Sequence, residues 1–578
     1  MSFRHLPAAF LLVVLLPACH SRQPADLIVH HGLVYTVDSA FSTMEAFAVK
    51  DGKILAVGRD KDILDAYSGG KMVDAGGRPV YPGFIDAHAH FAGYGQSLFA
   101  VDLFGSASFE EVVERVQKFA AGHPGLTWIT GRGWDQNKFP GKAFPDNTRL
   151  NALFANVPVM LQRVDGHAAI ANAKALELAG VKPGRQLTGG TVETKNGRLT
   201  GILIDNAQRL VWQQIPPLSS ADYTERLLAA EKNCFAQGLT TVTDCGLSRR
   251  EIEGIDSLQR AGKLHMRIYV MLSDTRENLE HYLPKGPYKT DLLYVKGVKA
   301  YADGALGSRG ACLLQPYDDV GKTGFLKNVT RFPKKSDDGP TANEPTVRSD
   351  DKPGWYGFLL NDPAHYDSLA RALAGTDFQL CTHAIGDSAN RLILTVYNKY
   401  LSGKNDKRWR IEHAQVINEK DFDLFGKASV IPSVQPTHAT SDMYWAGERV
   451  GARRLKGSYA LKQLLAQNGW IPLGTDFPVE DISPFKTFLA AVFRVDAQGW
   501  PAGGFQPENA LSRAEAIRGM TLWAARADCL EKEVGSLEAG KKADFIILDK
   551  DLMKVPQEQV LQTKVVATYS GGVEVHSL

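Results

Sequence analysis

The chain has 578 residues, of which 44% are hydrophobic and 22% charged, so it can bury a large core and is not disordered overall. Lysine and arginine number 66 against 64 aspartates and glutamates, and the resulting net charge of +2 argues against a nucleic-acid-binding surface as the main function. Six cysteines are too few for a disulfide scaffold in a chain of this length.

The chain begins with a predicted export signal. The basic residues Arg4 and His5 precede an apolar run at 6–16, which is shorter than the about 20 apolar residues that span a bilayer as a helix. The motif Leu-Pro-Ala-Cys that ends at Cys19 is similar to a bacterial lipobox. We therefore expect a lipoprotein-type signal peptide at 1–18 and a protein exported to the periplasm or anchored in the outer membrane. The membrane contact would be a lipid on Cys19, and an ordinary signal cut near Ala18 is the alternative.

Both ends of the mature chain have the pattern of short strands joined by turns, including the hairpin signal Asp51-Gly52. We expect residues 26–80 and 537–578 to form one composite β-sandwich domain. Residues 81–536 instead alternate strand and helix signals. Candidate strands lie at 80–87, 238–244, 265–272, 294–302, 378–382, 409–412, 429–434 and 470–475.

Eight strands separated by helices predict an α/β protein built on a (β/α)8 TIM barrel. A large insertion at 91–237 would follow the first barrel strand. Helix starts are signalled by Ser248 with Glu251 and by Asp362 before a proline. Residues 333–356 are polar and rich in proline and glycine, which predicts a surface loop.

The first barrel strand ends in Asp86-Ala-His88-Ala-His90. Because side chains alternate along a strand, His88 and His90 point the same way, as half of a metal site would require. By itself this pair could equally be two structural histidines. Four further strands also end in a polar residue that follows an apolar run, namely Lys299, His383, His413 and Asp476. The carboxyl ends of barrel strands converge on one face, where barrel enzymes have their active sites.

This ordered set, together with its surrounding motifs, resembles the amidohydrolase superfamily of metal-dependent hydrolases. The resemblance is greatest to its family 3, the YtcJ-like branch that includes N-substituted formamide deformylase. It extends over roughly residues 26–575. The motifs that carry it are PGFIDAHAH at 82–90, DGH at 165–167, DGALGSR at 303–309, HAIGD at 383–387, EHAQ at 412–415 and GTDFPV at 474–479.

The resemblance implies one or two divalent ions, Zn²⁺ by donor type, held by His88, His90, Lys299, His383, His413 and Asp476. Lys299 would act as a carboxylated lysine that bridges two metals, and its alternative role is an ion pair with Asp303. Asp476 would also shuttle the proton between the attacking metal-activated hydroxide and the leaving amine. His167 would contact the substrate carbonyl or the developing oxyanion, with a structural loop histidine as an equal alternative.

Four other polar residues lie near these strand ends. Asp244 and Gln435 end strands, which makes them candidates to support a metal ligand or to contact the substrate, and the favoured alternative is that each only satisfies local hydrogen bonds. Asp86 and Glu412 alternate with the predicted ligands, so they are expected to point away from the site.

The expected reaction is hydrolysis of a C–N bond in an amide, N-acyl or formamide-like small molecule. A ring deaminase or an ester or lactone hydrolase on the same barrel is the alternative, although Lys299 favours a two-metal site. An exported solute-binding lipoprotein on a decayed barrel would be missing some of these ligands, and none is missing. No nucleic-acid partner is expected, and because related enzymes are often dimers a homodimer is a further expectation.

Overall fold

The computed structural model describes residues 22–320 and 354–578. Seven apolar runs form adjacent parallel strands of a barrel, and nearly all of their side chains are buried. Such burial is expected when helices cover the outer face of a parallel sheet. In chain order the strands are Phe84–Ala89, Leu239–Leu247, Arg267–Ser273, Leu293–Tyr301, Gln379–Ala384, Arg410–His413 and Ile431–Ser433.

Residues 470–475 close the barrel between the last and the first of these strands. Gly474 N donates to Val434 O at 3.0 Å on one side, and Ala87 N donates to Leu473 O at 3.3 Å on the other. The segment is not a regular strand, in part because Pro472 has no N–H to contribute to the ladder. The predicted (β/α)8 barrel is confirmed, with this irregular segment in the place of the eighth strand.

Helices surround the barrel and fill the connections between its strands. Ser248 and Glu251 form the predicted capping box, because Ser248 Oγ accepts from Glu251 N and Glu251 Oε2 accepts from Ser248 N. Asp362 likewise caps the helix that starts with Pro363, as predicted. The longer helices are Ser220–Ala236, Arg249–Arg260, Pro363–Ala374, Asp387–Tyr400, Ala446–Leu455, Leu461–Asn468 and Pro484–Val492. The shorter ones are Phe91–Ser97, Arg276–Tyr282, Phe422–Lys427, Pro436–Asp442, Arg513–Gly519 and Leu522–Ala527.

Two sheets contain the strands from the chain ends. Phe545 stacks on Tyr569 with ring centroids 4.3 Å apart and meets Phe47 edge-on at 5.0 Å, so aromatic side chains from both ends share one core. The four-stranded sheet has the order Lys53–Gly58, Ala46–Lys50, Gln23–His30, Tyr67–Asp74. The six-stranded sheet has the order Val573–Ser577, Val565–Ser570, Phe545–Leu548, Pro79–Pro82, Leu33–Tyr35, Thr43–Met44.

The region after the first barrel strand carries a sheet of its own. The helix Phe109–Gly122 packs Val112, Val113 and Val116 into the core of this sheet beside Trp134. The helix Ser220–Ala236, by contrast, packs into the main barrel core. The order of the seven strands is Gln186–Leu187, Gly190–Lys195, Arg198–Asp205, Ala168–Ala171, Val159–Arg163, Ile129–Trp134, Val101–Asp102. Short helices at Thr148–Leu153, Ala173–Leu178 and Arg209–Trp212 connect them.

Some sequence predictions lie outside the described residues. They are the signal peptide at 1–18, Cys19 and most of the loop predicted at 333–356. Within the described ranges, no helix combines the length and the apolar character that crossing a membrane requires.

Candidate metal centre and active site

The carboxyl ends of the barrel strands open into a cavity of about 1210 Å³. The barrel forms the floor of this cavity, and the inserted sheet contributes part of its wall. Six of the seven residues predicted from sequence line it, and the seventh, His88, lies completely buried beneath them. The lining six are His90, His167, Lys299, His383, His413 and Asp476.

His88, His90 and Asp476 form one group of candidate metal ligands, whose donor atoms all lie within 4.8 Å of one another. The Asp476 Oδ1 atom is 3.2 Å from His90 Nε2 and 3.6 Å from His88 Nε2. The closing segment can approach this closely because residue 474 is glycine. A Cβ atom there would lie 2.6 Å from His88 N, a separation that packed atoms do not tolerate.

Each histidine of this group has a partner on its other ring nitrogen. His88 Nδ1 is 2.5 Å from Glu412 Oε2, and His90 Nδ1 is 3.1 Å from Cys245 O. Since carboxylate and carbonyl oxygens only accept, each ring carries a proton on Nδ1, and Nε2 is the ring nitrogen that faces Asp476 and is placed to meet a metal. Burial, together with the nearby Lys299 ammonium, lowers the pKa of His88 to about 4, so this ring is neutral as a metal ligand must be.

The contact with His88 gives Glu412 a part in the site that the sequence did not predict. The Glu412 side chain does point away from the cavity, as the alternation of side chains along a strand requires. In the closed barrel that direction brings it to the His88 imidazole on the first strand. Asp86 likewise accepts from Thr475 N at 3.0 Å and from Thr475 Oγ1 at 2.6 Å, so it holds the closing segment beside Asp476.

Lys299 is buried, and its Nζ atom lies 3.2 Å from His88 Nε2. Within the described residues it makes no ion pair with Asp303, the alternative partner. Asp303 instead accepts hydrogen bonds from the backbone of Ile385, Gly386 and Cys312 at 2.7–3.0 Å. Burial raises the pKa of Asp303 to about 7 in spite of these three donors.

His383 and His413 complete the predicted set. Their ring centroids are 4.6 Å apart, and that of His413 is 4.7 Å from His88. His413 Nδ1 lies 2.8 Å from Gln435 Oε1, which gives Gln435 the same orienting role that Glu412 has for His88. Burial and the neighbouring rings or lysine lower the pKa of both histidines well below the ordinary value. Both are therefore neutral.

The backbone is strained at two of these residues. His413 has φ 73° and Asp476 has φ 64°, in the left-handed region that residues with a side chain rarely adopt. Such strain persists only where the surrounding structure holds it, and it is concentrated at functional sites.

A second group of candidate ligands contains a histidine that the sequence analysis missed. His438 joins His413 and Asp476 in this group, and its Nε2 lies 3.2 Å from Asp476 Oδ2. Its Nδ1 lies 3.2 Å from Glu480 Oε1. His438 is in the helix Pro436–Asp442, directly after the seventh strand. A search of the turns that follow each strand, and not of the strand ends alone, could have found it.

Asp476 is shared by both groups and is ionised. Burial opposes its charge, but the neighbouring His438 and His90 rings outweigh burial and hold the pKa of Asp476 well below its ordinary value.

The inserted sheet brings His167 to the same centre. The ring centroids of His167 and His383 are 5.0 Å apart, and His167 Nδ1 lies 2.6 Å from Asp205 Oδ1. Burial disfavours the charged ring, but Asp205 outweighs it and raises the pKa of His167.

The arrangement fits a divalent metal. Neutral imidazoles and an ionised carboxylate are the donors that Zn²⁺ and related ions prefer. His383 Nε2 is buried and makes no hydrogen bond among the described residues, an arrangement that proteins avoid unless another ligand satisfies the atom.

The amidohydrolase family model matches residues 71–576, which is most of the chain. The chain belongs to the amidohydrolase family. The structure is similar to that of an uncharacterized metal-dependent hydrolase from Pyrococcus horikoshii, with a TM-score of 0.71, 27% identity and coverage of 92% of this chain and 99% of that one. The chain is accordingly a metal-dependent hydrolase.

Curated relatives of this amidohydrolase extend over nearly the whole chain. Protein LONG AFTER FAR-RED 3 of Arabidopsis thaliana is 32% identical and covers 96% of this chain and 92% of its own length. The putative amidohydrolase YtcJ of Bacillus subtilis is 28% identical, with coverage of 95% and 98%. The N-substituted formamide deformylase of Arthrobacter pascens is 25% identical, again with coverage of 95% and 98%.

Proposed function

We propose that this amidohydrolase cleaves the C–N bond of an amide, N-acyl or formamide-like small molecule. The observation that carries the proposal is the convergence of histidine side chains on the ionised carboxylate of Asp476, at the floor of a cavity large enough for a small molecule. The relative named N-substituted formamide deformylase supports the C–N bond as the target.

We assign the metal ligands to His88, His90, Lys299, His383, His413 and Asp476, and the metal to Zn²⁺. When bound, the metal would polarise the substrate carbonyl and lower the pKa of water. Lys299 serves as a ligand only after its neutral amine adds CO₂ and releases a proton, which converts a cation into a carboxylate. The position of its Nζ atom 3.2 Å from His88 Nε2 supports this role, because an unmodified ammonium group there would repel the metal.

Two side chains would handle the proton and the charge during turnover. The Asp476 carboxylate accepts a proton from the attacking water and passes it to the nitrogen of the leaving amine. His167, whose Nδ1 proton is held by Asp205, uses Nε2–H to stabilise the negative charge that develops on the carbonyl oxygen.

The test compares metal-loaded wild-type protein with Asp476→Asn on N-formyl and N-acetyl amides and on the matching esters and lactones. We expect the amides to be hydrolysed, chelation to abolish the activity, and Asp476→Asn to lower kcat by about 100-fold or more. Faster cleavage of the esters or lactones would contradict the C–N assignment and leave the hydrolase in place.

We also propose that the protein is exported. The basic start, the apolar run at 6–16 and the motif ending at Cys19 support this assignment. Labelling with a radioactive fatty acid, in wild type and in Cys19→Ser, tests the lipid anchor, and no loss of label in the variant would contradict it.

A further inference from the structure

The inserted sheet places an arginine in the wall of the active-site cavity. Arg132 belongs to the strand Ile129–Trp134 and lines the cavity together with His167 and His383. Its Nη2 atom donates to Val164 O at 3.1 Å, so the guanidinium group lies beside the loop that carries His167. A group bound by Arg132 would therefore be close to the proposed reaction centre.

Arg132 has no acidic partner within 4.0 Å among the described residues. Apart from Val164 O, its guanidinium donates to the neutral Gln162 Oε1 at 3.0 Å, and its buried Nε–H makes no hydrogen bond. Asp102 is the register partner of Arg132 on the neighbouring strand, but its Oδ1 accepts from Phe104 N at 3.0 Å. Since a guanidinium group has five N–H donors, most of the donors of Arg132 are left without a protein acceptor.

Another arginine of the same wall is paired. Arg163 contacts the carboxylates of both Asp135 and Asp165. A cation that is largely buried without a counter-ion is unfavourable for folding. The contrast between Arg163 and Arg132 indicates that the missing partner of Arg132 is supplied by a ligand.

We propose that Arg132 binds an anionic group of the substrate, and that the substrate of this hydrolase carries a carboxylate near the bond that is cleaved. The inference deepens the proposed function and rests on it. The planar guanidinium fork matches the two oxygens of a carboxylate, and a charge-assisted pair of this kind is among the stronger hydrogen-bonding arrangements in proteins. Because Arg132 donates to Val164 O in the loop that carries His167, a carboxylate bound by Arg132 and a carbonyl beside His167 would belong to one small molecule.

The test uses two probes that differ in one group, N-acetylglycine and N-acetylglycinamide. Their binding to metal-free protein is measured by calorimetry, so that neither the metal nor turnover contributes. We expect wild type to prefer the acid, Arg132→Gln to lose about 10- to 100-fold in affinity for the acid alone, and Arg132→Lys to lose less. The matched control Lys138→Gln removes an exposed cation from the same cavity and is expected to change neither affinity.

Two results would overturn the assignment. Equal affinity of wild type for the acid and the amide would exclude an anion-binding role, and this comparison needs no variant to fold. Equal weakening of both probes by Arg132→Gln would show that Arg132 only supports the His167 loop. The metal-loaded protein then separates the two proposals: selective binding of the acid with no hydrolysis of either probe leaves the Arg132 site standing and refutes the proposed C–N cleavage.

Discussion

Replacing Glu412 by glutamine tests whether this carboxylate tunes the metal centre through His88. Both side chains are fully buried, and Glu412 Oε2 lies 2.5 Å from His88 Nδ1. Glutamine keeps the shape of the side chain and one acceptor oxygen. It removes the negative charge that makes the His88 ring a stronger metal ligand. The variant thus isolates the charge from the packing.

Loss of such an outer partner lowers metal affinity by about 10- to 100-fold, which corresponds to about 1.4–2.7 kcal/mol. We expect a larger effect for Glu412→Ala, since it also leaves the buried His88 Nδ1–H without a partner, at about 1–3 kcal/mol of folding stability. Competition titration against a chromophoric chelator measures the affinity, and the thermal midpoint measures the stability.

Glu193→Gln is the matched control. Glu193 accepts a hydrogen bond from Thr200 Oγ1 at 2.6 Å in the inserted sheet, so its replacement removes a paired carboxylate far from His88. Its metal affinity is expected to equal that of wild type. A Glu412→Gln protein that binds metal as tightly as wild type would refute the reasoning, and so would a loss of the same size in Glu193→Gln.

Three further predictions follow from contacts on the barrel and at the surface. Gly474→Ala places a Cβ atom 2.6 Å from His88 N and is expected to lower the free energy of unfolding by about 1–3 kcal/mol in chemical unfolding. The control Gly375→Ala adds a Cβ atom in open space and is expected to change stability little. Equal effects of the two variants would contradict the packing argument. Hydrogen bonds from Lys399, Arg371 and Tyr400 lower the pKa of Asp367 to about 2. The stabilising effect of ionised Asp367 is therefore present above about pH 4 and lost as the pH falls toward 2. We expect the thermal midpoint of Asp367→Asn to lie on the order of 1 °C below that of wild type at pH 7 and to equal it near pH 2. A difference that does not depend on pH would argue against the ion pair. Reconstitution of activity with metal is expected to require CO₂ or bicarbonate in wild type, and Lys299→Ala is expected to stay inactive with either; full activity in CO₂-free buffer would contradict the carboxylation.

Much of the barrel could be predicted because its strands leave a local signal. Apolar runs that end in a polar residue mark Lys299, His383 and His413 without any knowledge of the neighbouring strands. The eighth position was harder, since residues 470–475 are held by hydrogen bonds on both sides and still do not form a regular strand. The helix starts at Ser248 and Asp362 were predictable, because a cap involves residues a few positions apart.

The residues that support the site could not be predicted in the same way. Glu412 and His88 are 324 positions apart, and only the closure of the barrel turns the far side of one strand toward the ring of another. His438 lies in a helix after its strand, so the rule that polar strand ends converge does not include it. The position of Arg132 depends on how the inserted sheet packs over the barrel, and the sequence carries no signal for that packing.

The sequence by itself thus determined the family, the barrel and the residues that end its strands, because these depend on local patterns and on motifs in a recognisable order. The tertiary structure decided which ring nitrogen of a histidine carries a proton, which ligand groups share Asp476, and that Arg132 has no acidic partner among the described residues. The physical reason is that hydrogen-bond partners and burial are set by the folded positions of distant segments, and distance along the chain does not encode those positions.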